Sequence, residues 1–426
     1  MKRKWYLLAV AMLFIVATFS MAAGHQETAS STGTASNPVT LRWISWWAAD
    51  TLQPTAQGFE KTHPNIKIDV RSYPFSDYFN KVQADMAAKS SAVDILSVDA
   101  PEVAEYTVRH YVLPMNKYFT KSELESSIVA AVLEASYYNG TLSALPSFSS
   151  SHVLYYNPDI FKAANVTPPS PDKPWTWEQV AQAARQLTKR EGGTTTIWGL
   201  LFEQLNQPYE ILPLPESLGA DPLDFTSNGW LKAMQFYYDC YNTWKISANV
   251  ANSNITDQLF ASGHAAMMVG GEWNAVGWAK DKVSFNYAPY PYFAGGKIVV
   301  PTDAQHLGIA TYSKHIPETV EFIKYATLGE GPTLEFEAGA SVLFPANIPL
   351  LNKISQDAKY APFPWSIYRL AIQEAPNTVP RPVTPYWDAY QTLTYQMFNN
   401  IATGTSPDAA LQTAQAQWKR IRESKY

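Results

Sequence analysis

The pattern of hydrophobic and polar positions from residue 39 onward predicts strands alternating with helices. Residues 39–47 (VTLRWISWW) are β-branched and aromatic and predict a buried strand, after which a helical pattern runs until Pro64. Residues 65–74 alternate in strand fashion and residues 77–92 form an amphipathic helical pattern. Residues 93–100 (VDILSVDA) predict a short strand that ends in a carboxylate. This alternation is typical of the α/β fold class.

The clearest helix signal lies at residues 176–193. Thr176 is placed as the N-cap, Gln179 follows three residues later, and a pair of glycines closes the segment. No repeat of fixed period is visible along the chain. Further helices are predicted at residues 228–244, 254–262, 317–328, 387–403 and 407–423.

The first residues have the pattern of an export signal. A basic start at residues 2–4 precedes an apolar run at residues 5–19 and small residues at 20–23. The run holds about 15 residues, whereas a helix that spans a bilayer needs about 20. We therefore expect a cleaved signal peptide over residues 1–22, with an uncleaved anchor as the alternative. Residues 23–38 are rich in Ser, Thr and Gly and predict a flexible linker.

Cysteine usage limits both disulfide and lipid chemistry. Cys240 is the single cysteine, so no intramolecular disulfide can form. His25, and not a cysteine, follows the small residues Ala22, Ala23 and Gly24, so no thiol is present there for lipid attachment. We expect a freely diffusing protein in the periplasm or outside the cell.

Composition and charge narrow the possible functions. A hydrophobic fraction of 46%, with 14 Trp, 25 Tyr and 19 Phe, supports large cores and excludes disorder of the whole chain. The net charge of −5 provides no electrostatic footprint for nucleic acid, so no nucleic-acid partner is predicted. The sequence has neither a GxGxxG nor a P-loop motif, and its seven histidines are not at close metal-ligand spacing. No cofactor and no metal are predicted.

Three segments, in their order along the chain, carry a resemblance to a known family. Their order resembles extracellular solute-binding protein family 1, the sugar-binding component of ABC transporters, which includes maltose-binding proteins. The segments are FEKTHPNIKIDV at 59–70, YYNGTLSALPSFSSSHVLYYNPDIFKAANVTPP at 137–169 followed by PWTWEQVAQAARQLT, and LFASGHAAMMVGGEWNA at 259–275 followed by NYAPYP at 286–291.

The resemblance implies a two-lobe α/β fold of the type II periplasmic-binding-protein kind. Each lobe would be a mixed sheet flanked by helices, and hinge strands near residues 154–157 and 287–292 would cross between the lobes. Lobe 1 would comprise residues 39–153 and 293–345, and lobe 2 residues 154–292 and 346–426. The implied function is capture of a sugar or oligosaccharide by hinge closure and its delivery to an ABC transporter permease, by a monomer that performs no catalysis.

Sugar rings present hydroxyls at their edges and C–H patches on their faces, so a site needs flat aromatic walls. By the resemblance, Trp273 and Trp387 match stacking positions, although either could instead be a core residue. Trp46 and Trp47 end the first strand, where α/β sheets place ligands. If strand residues alternate faces, only one of these two points into the cleft.

Polar candidates accompany these rings. Asp99 ends a buried strand, where it either caps the next helix or accepts from a sugar hydroxyl. Ser149 and Ser150 precede the first crossing, at a place where relatives often carry a carboxylate. Further candidates are Gln207 and Tyr209, which resemble a ligand-facing loop of the second lobe, and Glu272 beside Trp273.

Two other classes of function also fit an exported protein that binds small solutes. An exported glycoside hydrolase would also bind sugar and would need two facing carboxylates. A binder of a peptide, a polyamine or a polyol phosphate would need converging acids, helix N-termini or an arginine cluster. The sequence does not exclude a carboxylate pair, but the resemblance accounts for the order of the motifs without one. Neither converging acids nor a phosphate site stands out, so sugar capture is the leading prediction.

Overall fold

The computed structural model describes residues 38–424 apart from 171, 205–206, 251–252 and 339–343. The predicted signal peptide and all of the predicted linker except Pro38 lie outside the described residues. Fourteen strands are described. They are β1 Val39–Ser45, β2 Ile66–Ser72, β3 Ile95–Asp99, β4 Tyr137–Tyr138, β5 Thr141–Leu142, β6 Leu145–Tyr156, β7 Lys189–Glu191, β8 Thr194–Ile197, β9 Leu201–Phe202, β10 Met267–Gly271, β11 Asn286–Ala288, β12 Val300–Ile309, β13 Phe344–Pro345 and β14 Thr378–Pro380.

Eighteen α-helices are described between and after these strands. They are α1 Ala49–Thr62, α2 Phe75–Ala87, α3 Glu102–Val108, α4 Lys121–Ser127, α5 Ala130–Glu134, α6 Pro158–Ala163, α7 Trp177–Leu187, α8 Pro208–Ile211, α9 Pro213–Ser217, α10 Asn228–Tyr238, α11 Ser253–Ala261, α12 Trp273–Lys280, α13 Ile316–Thr327, α14 Gly331–Glu337, α15 Ile348–Gln356, α16 Ser366–Glu374, α17 Trp387–Ala402 and α18 Pro407–Glu423. A π-helical turn, Asp239–Thr243, extends α10. Among the described residues, no helix is both long enough and apolar enough to cross a bilayer.

One long sheet of mixed direction organises the described chain, with the order β2-β1-β3-β12-β6-β10-β9. Strand β1 pairs in parallel with β2 and β3, whereas β12 is antiparallel to β3. Strand β6 is shared by both halves of this sheet, because residues 145–151 pair with β12 and residues 152–156 pair with β10. All twelve residues of β6 are buried. The predicted first crossing, 154–157, therefore lies at the end of a strand that joins both halves, while the predicted lobe boundaries themselves stay a prediction.

Separate hydrophobic cores lie on the two halves of the sheet. Leu41, Phe59 and Phe322 belong to a core built around β1, β3 and β12. Trp177, Trp230 and further aromatic residues of α7, α10, α17 and α18 form a core on the other half. Because each core buries several large rings completely, each half is stabilised by its own apolar contacts.

Most helices predicted from the sequence are confirmed, with two corrections at helix ends, of which one is that the helix predicted at 77–92 is Phe75–Ala87. The predicted segments 228–244, 254–262, 317–328, 387–403 and 407–423 coincide with helices within one residue or continue into the π-turn. Thr176 forms the predicted capping box with Gln179. Helix α7, however, ends at Leu187 and not at residue 193, because Lys189–Glu191 pairs with Thr194–Ile197 as a hairpin that turns through the two glycines. The glycine pair thus serves the hairpin turn, where both residues have positive φ.

Candidate functional site

A cavity of about 570 Å³ opens where several strands end. Its wall combines aromatic rings with carboxyl, amide and hydroxyl groups, as a pocket for a polar guest with apolar faces requires. The cavity is lined by Trp46, Trp47, Phe75, Asp99, Phe148, Ser149, Ser150, Glu203, Gln204, Gln207, Pro208, Tyr209, Asp257, Trp273, Asn274, Asp303, Ala304, Gln305, Arg381, Gln391 and Tyr395.

One aromatic wall follows the end of β1. Both Trp46 and Trp47 line the cavity, so the expectation that only one of them points into the cleft does not hold. The physical reason is that β1 ends at Ser45 and the two tryptophans lie in a bend, where the two-residue period of a strand no longer applies. Tyr78 supports this wall by packing edge-on against Trp46, with 5.1 Å between ring centres.

A second aromatic wall comes from Trp273 and Tyr209. Their rings lie nearly parallel, 21° apart, at 6.4 Å between ring centres. Trp273 begins α12 and folds back over Gly271, where an added Cβ would lie 2.1 Å from its ring. Gly270 likewise leaves room for Glu203, whose Oε2 would lie 2.5 Å from an added Cβ. The two glycines of the VGGEW segment are therefore required by the close approach of these two side chains.

Glu203 fixes the orientation of the Trp273 ring. Its Oε1 accepts from the indole nitrogen of Trp273 at 2.7 Å and from Nδ2 of Asn274 at 2.8 Å, and its Oε2 accepts from the backbone N–H of Gly271 at 2.7 Å. Glu203 follows β9 directly, so its position at the cavity is set by the end of a strand. Burial raises its pKa, as do the neighbouring Asp257 and Glu210, while these N–H donors oppose the rise.

Arg381 connects the end of β3 to the interior of β12 at the cavity. Its guanidinium donates to Oδ1 of Asp99 at 2.7 Å and also to Oδ2 of Asp303. Asp99 therefore pairs with a cation and does not cap α3, which begins after Pro101 without a side-chain cap. The Cζ atom of Arg381 lies 5.1 Å from the ring centre of Tyr209 and 5.2 Å from that of Trp387.

The charges of this cluster are strongly perturbed by burial. Burial raises the pKa of Asp303 to about 7, with Arg381 lowering it and Asp99 raising it. For Arg381, burial lowers the pKa, but Asp303 and Asp99 outweigh burial and the net pKa is raised. The guanidinium therefore stays charged between two carboxyl groups.

The remaining polar candidates lie in the same wall. Ser150 is hydrogen-bonded to the hydroxyl of Tyr209, and Ser149 lies 3.4 Å from the hydroxyl of Thr302. Gln207 accepts from Gln391 of α17 at 3.5 Å. Eight of the ten predicted site residues thus line one cavity. Whether they bind ligand stays a prediction.

The other two predicted residues lie outside the cavity lining. Glu272 is completely buried and accepts from the backbone N–H groups of Ser151 and Phe344 at 2.9 and 3.1 Å, so it ties β6 to β13. Trp387 is also completely buried and packs beneath Arg381. Both side chains support residues of the cavity wall without facing the cavity.

Several cavity residues were absent from the sequence prediction. Glu203 directly follows a short buried strand. It could therefore have been chosen for the same reason as Asp99, a carboxyl group at the end of a buried strand. Asp303 and Gln305 are polar positions within the fully buried strand β12, a pattern that itself signals a polar site. Arg381 and Asp257 carry no comparable local signal. The structure also brings four carboxyl groups to one cavity, a convergence that the sequence did not reveal.

A buried His–Glu pair lies next to the cavity. Nε2 of His152 and Oε1 of Glu210 are 2.6 Å apart, and both side chains are inaccessible to solvent. Burial lowers the pKa of His152 to about 3, with a further contribution from Arg381, so the imidazole is neutral at pH 7. One ligand atom of Glu203 lies within 4.8 Å of this pair, a spacing compatible with a metal ion.

A family model and individual relatives both match this chain to bacterial binding proteins. The family model for bacterial extracellular solute-binding proteins matches residues 46–331, which is more than half of the chain. A probable ABC transporter-binding protein of Deinococcus radiodurans is 22% identical over 360 residues, covering 80% of this chain and 82% of that protein. The galactooligosaccharide-binding protein of Bacillus subtilis is 18% identical over 437 residues, covering 98% of each chain.

Among solved structures, an ABC substrate-binding protein of Listeria monocytogenes in complex with cycloalternan is similar. Its TM-score is 0.80 at 19% identity, and the match covers 91% of this chain and 99% of that one. This likeness confirms the predicted two-lobe α/β fold.

Proposed function

Because the chain belongs to the bacterial extracellular solute-binding proteins, we propose that it captures a sugar or oligosaccharide outside the cytoplasm and delivers it to an ABC transporter permease. One observation carries the proposal: the cavity is walled by tryptophans from two separate segments, Trp46–Trp47 and Trp273, with hydrogen-bonding groups between them. The galactooligosaccharide-binding relative and the cycloalternan-bound structural neighbour support this choice of ligand class.

The geometry suits an uncharged ring better than a phosphate. Flat rings cover the C–H faces of a sugar, and the carboxyl and amide groups of Asp99, Gln207 and Gln305 can bond its hydroxyls. Arg381 is the single basic residue of the described lining, and two carboxyl groups already engage it. A phosphorylated polyol would therefore meet net negative charge.

We propose binding without bond cleavage. A glycoside hydrolase needs one carboxyl group that donates a proton and a second that acts as base or nucleophile. Asp99 and Asp303 are held by Arg381, and both oxygens of Glu203 accept N–H bonds, so these groups are engaged in holding the wall together.

Closure would use the strands shared by both halves. A sugar that contacts Trp46 on one side and Trp273 on the other binds the closed form preferentially, and the population shifts toward closure. The predicted lobe boundaries, a cleaved export signal, release into the periplasm or medium, and a monomeric state are parts of this proposal.

The test is calorimetry on the purified protein with a panel of neutral mono- and oligosaccharides, combined with chromatography of the sugar after incubation. We expect one sugar to bind with a stoichiometry of one and to be recovered unchanged, and glycerol 3-phosphate to give no heat. Thermal shift provides a first screen, because ligand at a hundred times its dissociation constant adds about 2.7 kcal/mol of stability. Cleavage with turnover would favour the hydrolase, and binding of glycerol phosphate alone would overturn the sugar assignment.

A further inference from the structure

Negative charge at the cavity is distributed unevenly. The described lining contains four carboxyl groups, Asp99, Glu203, Asp257 and Asp303, and one cation, Arg381. Arg381 pairs with Asp99 and Asp303. No lysine or arginine of the described lining pairs with the other two carboxyl groups. The end of the cavity formed by Glu203 and Asp257 therefore lacks a counter-charge.

The hydrogen bonds of Glu203 are those of a carboxylate. Both of its oxygens accept from N–H groups, three in total, supplied by Gly271, Trp273 and Asn274. Each of these donors is a neutral group, so the bonds satisfy the oxygens without neutralising the charge. Burial, Asp257 and Glu210 raise the pKa of Glu203, so a positively charged group at this end of the cavity would favour its ionised form.

Asp257, on helix α11, has a free acceptor at the same end. Its Oδ1 is buried and has no hydrogen-bond partner in the described structure. Burial, together with Glu210, raises the pKa of Asp257 to about 7. A positively charged donor in contact would favour the ionised form and satisfy the orphaned oxygen at once.

A second, independent observation points to a guest with polar groups. Gln305 of β12 is only 4% exposed, lines the cavity, and leaves both its amide oxygen and its amide nitrogen without a partner in the described structure. Buried amides are normally bonded, so an unpaired amide in a residue that lines the cavity favours a ligand group, met by a turn of the side chain, as its partner. The indole nitrogen of Trp47 is also buried and unpaired.

We propose that the sugar carries a protonated amino group, which the Glu203–Asp257 end of the cavity receives. The inference rests on the proposed function, since it names the class of sugar that the same cavity takes. A hydroxyl would satisfy one oxygen of Asp257, but only a cation would favour the ionised forms of Asp257 and Glu203 and compensate their charge. The indole face of Trp273 beside them adds attraction for a cation.

The experiment compares three trisaccharides that share one backbone: β-1,4-linked glucosamine, its N-acetylated form and cellotriose. Calorimetry at pH 7 should show the amine-bearing trimer binding at least about tenfold more tightly than cellotriose, since a close charge pair is worth well over the 1.4 kcal/mol of that factor. The N-acetylated trimer, which has no charge, should lack this advantage. Raising the salt concentration should reduce the preference.

Variants connect the preference to Asp257. Asp257→Asn should reduce the ratio of amine to neutral affinity by at least about fivefold, whereas Asp257→Glu, which keeps the charge, should retain most of it. Asp281→Asn, at an exposed position beyond α12, is the matched control for loss of one negative charge and should leave the ratio unchanged. Thermal melting of each variant checks that it is folded.

The outcomes distinguish a failure of the amino-sugar inference from a failure of the proposed sugar-binding function. If cellotriose or any neutral sugar of the wider panel binds as tightly as its amine-bearing counterpart, the amino-sugar inference is wrong and sugar capture stands. If an amine preference appears but survives Asp257→Asn undiminished, the assignment to this end of the cavity is wrong. If no sugar binds, charged or neutral, the proposed function itself fails.

Discussion

Arg381 and Asp99 are 282 positions apart in sequence, yet the guanidinium donates to the carboxylate across 2.7 Å. Asp99 ends β3, and Arg381 follows β14, which pairs in parallel with β12. Because Arg381 also bonds Asp303 within β12, one side chain joins the ends of β3 and β14 to the interior of β12 in the wall of the cavity. The exposed fraction of each partner is 10% or less, so solvent screens these interactions little.

Removal of Arg381 should therefore destabilise the protein strongly. Arg381→Ala leaves two buried carboxyl groups without their cation, and we expect a loss of about 3–5 kcal/mol in the free energy of unfolding at pH 7, measured by urea denaturation. Protonation of the two carboxyls relieves the penalty, so the loss should shrink at pH 5. Arg71→Ala, which breaks an exposed pair with Asp69, is the control and should cost less than about 1 kcal/mol. Equal losses for the two variants would contradict the buried pairing.

The sequence predicted the aromatic part of the site better than its charged part. Trp273 and Ser150 fall in segments whose order resembles a known family, Tyr209 lies in a loop that resembles a ligand-facing loop of that family, and all three line the cavity. Trp46 and Trp47 were found by their place at a strand end. Local pattern is enough for such residues, because the end of a strand fixes where the next side chains lie.

The charged part depends on pairings that local sequence does not encode. No acidic residue close to Arg381 in sequence indicates which groups it pairs with. Its pairing with Asp99 forms only when β3, β12 and β14 assemble into one sheet. Asp257 lies on an ordinary amphipathic helix, where an acid is expected on the solvated face. For Trp387 the sequence left open a ring that stacks on ligand and a core residue, and the structure shows a fully buried ring beside Arg381.

The ring of Trp273 should contribute directly to ligand affinity. Trp273→Ala removes a flat wall of the cavity, and we expect sugar binding to weaken by at least about 1 kcal/mol in calorimetry while the protein stays folded. Trp244→Ala is the matched control, because Trp244 is a partly buried tryptophan outside the cavity lining that packs against Arg185. Unchanged affinity in Trp273→Ala would remove this residue from the site.

Glu335 should make the stability depend on pH. This carboxyl of α14 is 2% exposed, it is bonded to Thr55 of α1 through Oε2, and burial raises its pKa to about 8. Since the folded pKa exceeds that of the unfolded chain, near 4.5, the contribution of Glu335 is fully present below pH 4.5 and is lost as the pH rises toward 8. The slope is at most about 1.4 kcal/mol per pH unit.

Substitution isolates this contribution from those of the other buried acids. Glu335→Gln keeps the shape of the side chain but cannot ionise, so its stability relative to the natural protein should rise between pH 5 and pH 9 in urea denaturation. Glu337→Gln, on the same helix but 43% exposed, is the control and should show no such trend. A difference between Glu335→Gln and the natural protein that stays constant with pH would show that Glu335 is ionised in the folded state throughout.

Gly271 and Gly277, six positions apart, provide a test of the packing behind the Trp273 wall. An added Cβ at Gly271 would lie 2.1 Å from the Trp273 ring, whereas an added Cβ at Gly277 would meet nothing within 4 Å. Gly271→Ala must therefore displace the indole from its bond to Glu203, and we expect a loss of about 1–3 kcal/mol in stability together with weaker sugar binding. Gly277→Ala, in the exposed face of α12, removes a poor helix former and should leave binding unchanged while stabilising by up to about 1 kcal/mol. If Gly271→Ala binds sugar as tightly as the natural protein, the ligand does not depend on the position of this ring, since the added Cβ requires the ring to shift.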